Sequence, residues 1–374
     1  MKLLIVANYA KEHINKFHLS TIRKFREAGW QVDVACNADE EVPGADHLYH
    51  IPCQRNPFRP QSVSCIRSLK KLIGENGYDV VHCHTLTGRI LGTLAAKSFK
   101  KKGLKLVVTY HGLNYYRGSS AFSKLLIPLD RYLARFADLS FSDNMEDLQY
   151  MQSHGYRLGK TCFCPPSINR DKYRDVDRFA AQRDEIRHSL GFEKDNVVLT
   201  YVAELNENKN QALLLQMFAM LQSRYPQARL LLIGPDHSDG QIRKQIDDRG
   251  LQQTVTLTGW RNDVCRLLTA CDVYVASSIR EGFGVNLLEA AICGLPIVAT
   301  DNRGHREIIV DHYNGVLVPL GNAAAFAGNV AQIIAQPELA KTLVENGRRR
   351  FHELFSTPME ETIYAEYLKL LTEE

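Results

Sequence analysis

The residues best placed to do chemistry are gathered in one stretch, Arg280-Glu281-Gly282-Phe283-Gly284-Val285-Asn286-Leu287-Leu288-Glu289. It follows an apolar, strand-like run ending near Ser277-Ser278 and enters a helical pattern. Gly282 and Gly284 let the backbone come close to a ligand, and the free N–H groups of a helix start form an anion site. Glu281 precedes that helix and Glu289 lies inside it. A carboxylate inside a helix that begins against a phosphate can accept hydrogen bonds from two sugar or ribose hydroxyls. A lone acidic residue near a helix start is more simply a response to the helix dipole.

Positioning such a segment takes layered α/β structure. Residues 3–7 form a continuous apolar run, as in a parallel strand buried on both faces, and residues 15–28 read as an amphipathic helix stopped at Gly29. Strands follow at 32–35, 79–84 and 104–110, with a helical stretch at 88–101. Around 162–171 Pro165-Pro166 breaks every pattern, and the linker belongs there. A second alternation places strands at 196–202, 229–233, 255–257, 273–276, 296–299 and 315–318. The expected fold class is α/β, with two Rossmann-like doubly wound domains at 1–168 and 169–355. Ligands of such sheets bind beyond the carboxyl ends of the strands, so a cleft between the domains is the expected site.

The bulk numbers agree. A chain of 374 residues is too long for one core, and 45% hydrophobic with 24% charged residues is the composition of a globular protein. Residues 1–175 carry 26 Lys and Arg against 16 Asp and Glu, while the remainder carries 20 against 26. A basic first half suits an anionic partner, either a phosphate-bearing substrate or an anionic membrane surface. The nine cysteines include no CxxC pair, which points away from a disulfide framework or a zinc ribbon and toward reduced thiols. The opening apolar run is short for a signal peptide, and nothing approaches a spanning helix. A cytoplasmic protein is expected, at most peripheral to the inner face of a membrane.

Glu, seven residues, Glu with Gly-Phe-Gly inside resembles the paired-glutamate motif of the retaining glycosyltransferases of family 4, which have the GT-B fold. Other segments agree in order. Tyr201-Val202-Ala203-Glu204-Leu205-Asn206-Glu207-Asn208-Lys209-Asn210 resembles that family's phosphate-binding loop, and Leu230-Leu231-Leu232-Ile233-Gly234 its central strand. Gly294-Leu295-Pro296-Ile297-Val298-Ala299-Thr300 and Gly304-His305-Arg306-Glu307 resemble the segments downstream. Val81-His82-Cys83-His84 and Thr109-Tyr110-His111-Gly112 match strand ends of the first domain. The phrases His13-Ile14-Asn15-Lys16-Phe17-His18 and Asp301-Asn302-Arg303-Gly304 are similar to the subgroup that builds capsular polysaccharide and exopolysaccharide.

The resemblance implies a donor-binding second domain and an acceptor-binding first domain, with the closing helix, residues 356–374, packed back on the first. It implies transfer of a hexose or N-acetylhexosamine from a nucleotide-sugar, a UDP-sugar by preference, to a glycan carried on polyprenyl diphosphate. Lys209 would bind the donor diphosphate where leaving-group charge develops. Glu281 would contact the transferred sugar, and Glu289 the ribose hydroxyls. Gly282, Phe283, Gly284 and Val285 would lend backbone N–H groups, and His111 would stand near the reacting carbon. His13, His18 and His84 are acceptor-side candidates, His82 a weaker one. Arg303 and Glu307 either hold substrate or pair with each other.

Two positions depart from the broader family. Glu204 stands where an arginine is usual, leaving Arg280 or Arg303 to compensate. Asn8-Tyr9-Ala10-Lys11 replaces a double glycine, so Lys11 or a histidine would take over at the diphosphate. No cofactor, no metal and no nucleic-acid partner is expected, since lysine, arginine and helix starts neutralise the phosphates. Asp175-Val176-Asp177 has the form of the metal-binding DxD of another transferase fold, but no strand precedes it and it reads as surface charge. The alternatives are a nucleotide-sugar epimerase, which would work the same donor site without an acceptor, and a non-catalytic sugar-nucleotide sensor or scaffold. A phosphorylase would need lysine-bound pyridoxal phosphate and a longer chain.

Overall fold

A computed structural model of the chain describes residues 1–54, 56–113, 121–166, 168 and 170–372. It divides into two compact units, Met1–Ile168 with Thr357–Glu374, and Asn169–Ser356. Positions 167 and 169 of the expected linker, and 373–374 of the closing helix, lie outside the described residues.

The first unit holds a seven-stranded parallel sheet in the order β3-β2-β1-β4-β5-β6-β7. Its strands are β1 (Lys2–Tyr9), β2 (Gln31–Asn37), β3 (His47–His50), β4 (Val80–Cys83), β5 (Lys105–Tyr110), β6 (Leu139–Ser142) and β7 (Lys160–Phe163). Side chains of β1 alternate between two cores. Leu4 and Val6 join the cluster on one face, Leu3, Ile5 and Ala7 the cluster on the other. That double burial is why the strand reads as an unbroken apolar run.

Three strands were absent from the sequence expectation, namely β3, β6 and β7. The edge strands β3 and β7 carry polar residues and are only partly covered. In β6 the alternate serines look like turn signals, yet Ser140 and Ser142 are fully buried because their hydroxyls donate to the carbonyls of Leu158 and Asn144. The single helix expected at 15–28 is broken at His18 into one short turn (Asn15–Phe17) and the helix Leu19–Glu27, and a π-helical turn (Ala10–Ile14) that was not expected precedes it. The stop at Gly29 has φ +79°, the left-handed conformation that glycine adopts without strain.

The closing helix, Met359–Thr372, lies against Leu19–Glu27 within this unit. Phe25 packs edge-on to Tyr364 and Tyr367, and Lys24 pairs with Glu361 at 2.7 Å. The Tyr367 hydroxyl reaches His82 Nδ1 at 2.6 Å, so the end of the chain supports the strand that carries the histidines.

The second unit is a six-stranded parallel sheet, order β10-β9-β8-β11-β12-β13. Its strands are β8 (Val197–Val202), β9 (Ala228–Ile233), β10 (Val255–Leu257), β11 (Val273–Ala276), β12 (Ile297–Thr300) and β13 (Val316–Val318), all near expected positions. Asp272 ties it to the preceding helix, accepting from Arg183 at 2.6 Å and Arg187 at 2.5 Å. Among the described residues no helix is long and apolar enough to cross a membrane.

Candidate functional site

In the second unit the loops after β8, β9, β11 and β12 meet at the carboxyl ends of the strands. Gly234 has no room for a Cβ, which would fall 2.1 Å from the Ala203 carbonyl oxygen, so glycine there lets the loop after β9 lie on the loop after β8. The lysine loop is stitched to the glutamate loop. Asn208 donates to the Arg280 carbonyl at 3.0 Å, the Ile279 amide donates to the Asn208 carbonyl at 2.8 Å, and the Ser277 hydroxyl donates to the Lys209 carbonyl at 2.7 Å.

These bonds bring Lys209 Nζ to 2.5 Å from Glu281 Oε1, which also accepts from the Ser278 hydroxyl. Both members of the pair are only partly covered, so a ligand can reach them. Gly304 makes the arrangement possible, because a Cβ there would lie 2.5 Å from the Cβ of Glu281. Next to it His305 is fully buried, its Nδ1 facing the Thr300 carbonyl at 2.7 Å. Its Nε2 is buried without a hydrogen-bond partner. Burial is the main reason its pKa is lowered, with Lys209 adding to the effect and Glu281 opposing it.

The helix Val285–Ile292 starts from Gly284 at φ +71°, as the glycine pattern implied. Phe283 has its ring buried, packed edge-on toward Phe355, which leaves its backbone as the part that can meet a ligand. Glu289 is partly covered one turn before the end of that helix. Burial raises its pKa, and the neighbouring Tyr173 hydroxyl opposes the rise. The residue expected to hold ribose hydroxyls thus stands beside a phenol from the segment that opens the unit.

In the first unit the histidines gather. His13 comes from the π-helical turn, His18 from the start of helix Leu19–Glu27, His84 from the end of β4 and His111 from the end of β5. His13 Nε2 is 3.1 Å from His18 Nε2, and His84 Nδ1 is 3.3 Å from His111 Nε2. One ring nitrogen from each of the four lies within 4.8 Å of the others. Burial first, then mutual repulsion, holds His13, His18 and His84 well below the ordinary histidine pKa. His111 Nδ1 faces Asp143 Oδ2 at 3.1 Å, while Asp143 Oδ1 is buried with no partner. The ring expected near the sugar's reacting carbon therefore has both nitrogens engaged. His82 differs. Its two nitrogens meet Thr109 and Tyr367 at 2.7 and 2.6 Å, and its pKa is likewise lowered by burial, which is the pattern of a structural residue.

Other expected residues fall outside these groupings. Lys11 is exposed, and its amide, with that of Ala10, donates to Asp39, so this loop's N–H groups are spent within the protein. Glu204 is exposed beside His237 at 3.5 Å. Arg303 opens the helix Arg303–Ile308, while Glu307 offers its carbonyl to Arg350 at 3.1 Å. Asp175 pairs with Arg178 at 3.1 Å, and both are exposed. Sequence reasoning gave no role to Asp143, Tyr173, Ser278 or His305. Asp143 follows β6 directly, a place where ligand-binding residues gather, but that strand was itself hidden in the sequence and so gave no signal. Tyr173 had none.

The sequence matches the family described as "Glycosyl transferases group 1" over residues 182–350 and "Glycosyl transferase 4-like" over residues 2–144. A protein of Bacillus subtilis (strain 168), named "Putative glycosyltransferase EpsD", is 37% identical over 97% of this chain and 96% of its own. An Escherichia coli protein named UDP-Gal:alpha-D-GlcNAc-diphosphoundecaprenol alpha-1,3-galactosyltransferase is 25% identical over 81% of this chain and 80% of its own. Among solved structures, HepE of Anabaena in complex with UDP and glucose superposes with a TM-score of 0.79 at 21% identity, covering 99% of each chain. That likeness is one of fold, GT-B.

Proposed function

This chain belongs to the group 1 glycosyl transferases, and on that premise we propose that it moves a hexose or N-acetylhexosamine from a UDP-sugar to a lipid-linked glycan, with retention, in surface polysaccharide synthesis. The observation that carries the reading is the pairing of Lys209 with Glu281 at 2.5 Å, built by four loops at the carboxyl ends of the strands. A lysine held against a carboxylate is ready to exchange that partner for a diphosphate, whose charge grows as the bond to the anomeric carbon breaks. Glu281, released, accepts from hydroxyls of the transferred sugar. Glu289 takes the ribose hydroxyls in place of the Tyr173 phenol, and the amides from Gly282 to Val285 meet the phosphates. The acceptor hydroxyl forms its bond on the face that the diphosphate leaves, and its proton passes to a leaving phosphate oxygen.

The donor step needs no metal at the diphosphate in this scheme. The UDP-galactose and diphosphoundecaprenol in the name of the Escherichia coli relative support the donor and acceptor assignments. On the first unit we assign to the acceptor side the ends of β4 and β5 and the turn after β1, the face on which His111, His13, His18 and His84 gather. The basic excess of the first half suits an anionic acceptor and peripheral contact with the inner face of the cytoplasmic membrane.

The test is thermal stability of the purified protein against UDP, GDP, ADP and their sugar conjugates, with Lys209→Ala and Glu289→Ala alongside. A nucleotide at ~100 times its dissociation constant should add about 2.7 kcal/mol. A shift with UDP compounds that both variants lose is the expected result. A folded protein that no nucleotide stabilises would overturn the reading.

A further inference from the structure

We propose that His13, His18, His84 and His111 form a four-nitrogen site for a divalent transition-metal ion, zinc being the ion whose geometry they fit. The inference rests on the first unit alone, gives these four rings a metal-holding role in place of direct contact with the acceptor, and departs from the expectation that this protein uses no metal.

Four imidazoles from three separate stretches of the chain converge, and one nitrogen from each lies within 4.8 Å of the rest. Tetrahedral zinc with Zn–N bonds of about 2.0–2.1 Å has its ligand nitrogens about 3.4 Å apart. Two edges of that tetrahedron are nearly in place already, His13 to His18 at 3.1 Å and His84 to His111 at 3.3 Å. The remaining edges are no longer than 4.8 Å.

The chemistry of the donor set agrees with the geometry. A metal ligand must present a lone pair, so its ring must be neutral. Burial keeps His13, His18 and His84 in that form. Imidazole suits zinc and its neighbours in the first transition row, and hard oxygen-seeking ions such as magnesium poorly. His111 shows the outer-shell support typical of such ligands. Its Nδ1 lies against the Asp143 carboxylate, which fixes the proton there and turns the Nε2 lone pair toward the other rings.

Asp143 supplies the independent observation. Its side chain is 8% exposed, and Oδ1 is buried without a hydrogen-bond partner. A buried carboxylate with an unmet oxygen, in a pocket where burial keeps His13, His18 and His84 neutral, leaves the pocket short of positive charge. A divalent ion on the four nitrogens supplies it. Four protein ligands make a closed site, which is structural in kind. It would fasten the turn after β1 to the ends of β4 and β5.

The experiment uses tag-free, full-length protein. It measures metal content as purified, then zinc and cobalt uptake after chelation, with X-ray absorption at the zinc edge to identify the ligand atoms. The expected result is about one ion per chain, a tetrahedral cobalt spectrum, and a nitrogen-only zinc shell free of cysteine sulfur. His84→Ala and His18→Ala should each lower affinity by more than the ~10–100-fold that loss of an outer-shell partner costs. His82→Phe, outside the ligand set, should keep the stoichiometry. Should a ligand variant fail to fold, the zinc-edge spectrum of the unaltered protein still decides. Folded apoprotein that takes up neither metal, sulfur in the zinc shell, or uptake unchanged in both ligand variants would each overturn the proposal. UDP-induced stabilisation, measured on the same samples, reads the second unit separately, so failure of one inference is not mistaken for failure of the other.

Discussion

The two groups of polar side chains at the strand ends handle charge in opposite ways. In the second unit the cation and anion already hold each other, Lys209 on Glu281, and Glu289 stands beside the Tyr173 hydroxyl. In the first unit burial keeps His13, His18 and His84 neutral, and the Asp143 carboxylate beside His111 keeps an oxygen without a partner. A site that neutralises itself loses little to desolvation when empty and must give up internal contacts to bind, which favours a ligand able to replace them one for one. A site with spare lone pairs and an unmet negative charge favours a cation. The contrast separates a place for a diphosphate sugar from a place for a metal ion within one chain.

The sharpest way to break this contrast is Lys209→Ala. It removes the cation and leaves the glutamate with Ser278 alone, so turnover with a UDP-sugar should fall by ~10²–10³ in kcat/KM, the scale of losing one group that stabilises transition-state charge. Metal uptake by the first unit should not change. Turnover within a few-fold of the unaltered enzyme would remove the lysine from the mechanism.

Asp143→Asn works on the other side. The shape is kept while the charge beside His111 is lost, and zinc affinity should drop ~10–100-fold with UDP stabilisation intact. Equal zinc affinity in the two proteins would reduce Asp143 to a bystander.

Glu289→Gln gives the smallest effect and sharpens the comparison from within the second unit. Burial raises the folded pKa of Glu289 above its unfolded value. The unfolded state therefore releases this proton first, and stability falls as pH rises from about 4.3, the ordinary glutamate value, through the folded one. Glutamine removes that dependence. Above the window the variant should melt higher than the unaltered protein, by on the order of 0.5 kcal/mol, while binding UDP less well. Thermal melts across the acidic range, with and without UDP, check both signs. A variant no more stable at neutral pH would mean that the Tyr173 hydroxyl already compensates the burial.

The second unit was the more legible half. All six of its strands are apolar runs bounded by turn residues, and its chemistry is concentrated in two short phrases, 201–210 and 280–289. The first unit hid three strands, since β3 and β7 are polar edges and β6 alternates with serine. Its expected first helix also came apart. The chain forms a π-helical turn over Ala10–Ile14, and such a turn is often found where a side chain is aimed at a functional site.

What the sequence determined by itself was the alternation of strands and helices in two units, the position of the paired glutamates around a glycine-started helix, and the family. Those are local facts, carried by periodicity and by residues within ten positions of one another. Only the tertiary structure decided who meets whom. Lys209 meets Glu281 across 72 residues, His18 and His111 share a pocket with His84, and Tyr173 stands beside the carboxylate of Glu289. The reason is that parallel strands bring their carboxyl ends together from distant parts of the chain. Which side chains then touch depends on loop hydrogen bonds and on single close approaches such as Gly304 against Glu281, and no spacing along the chain records these.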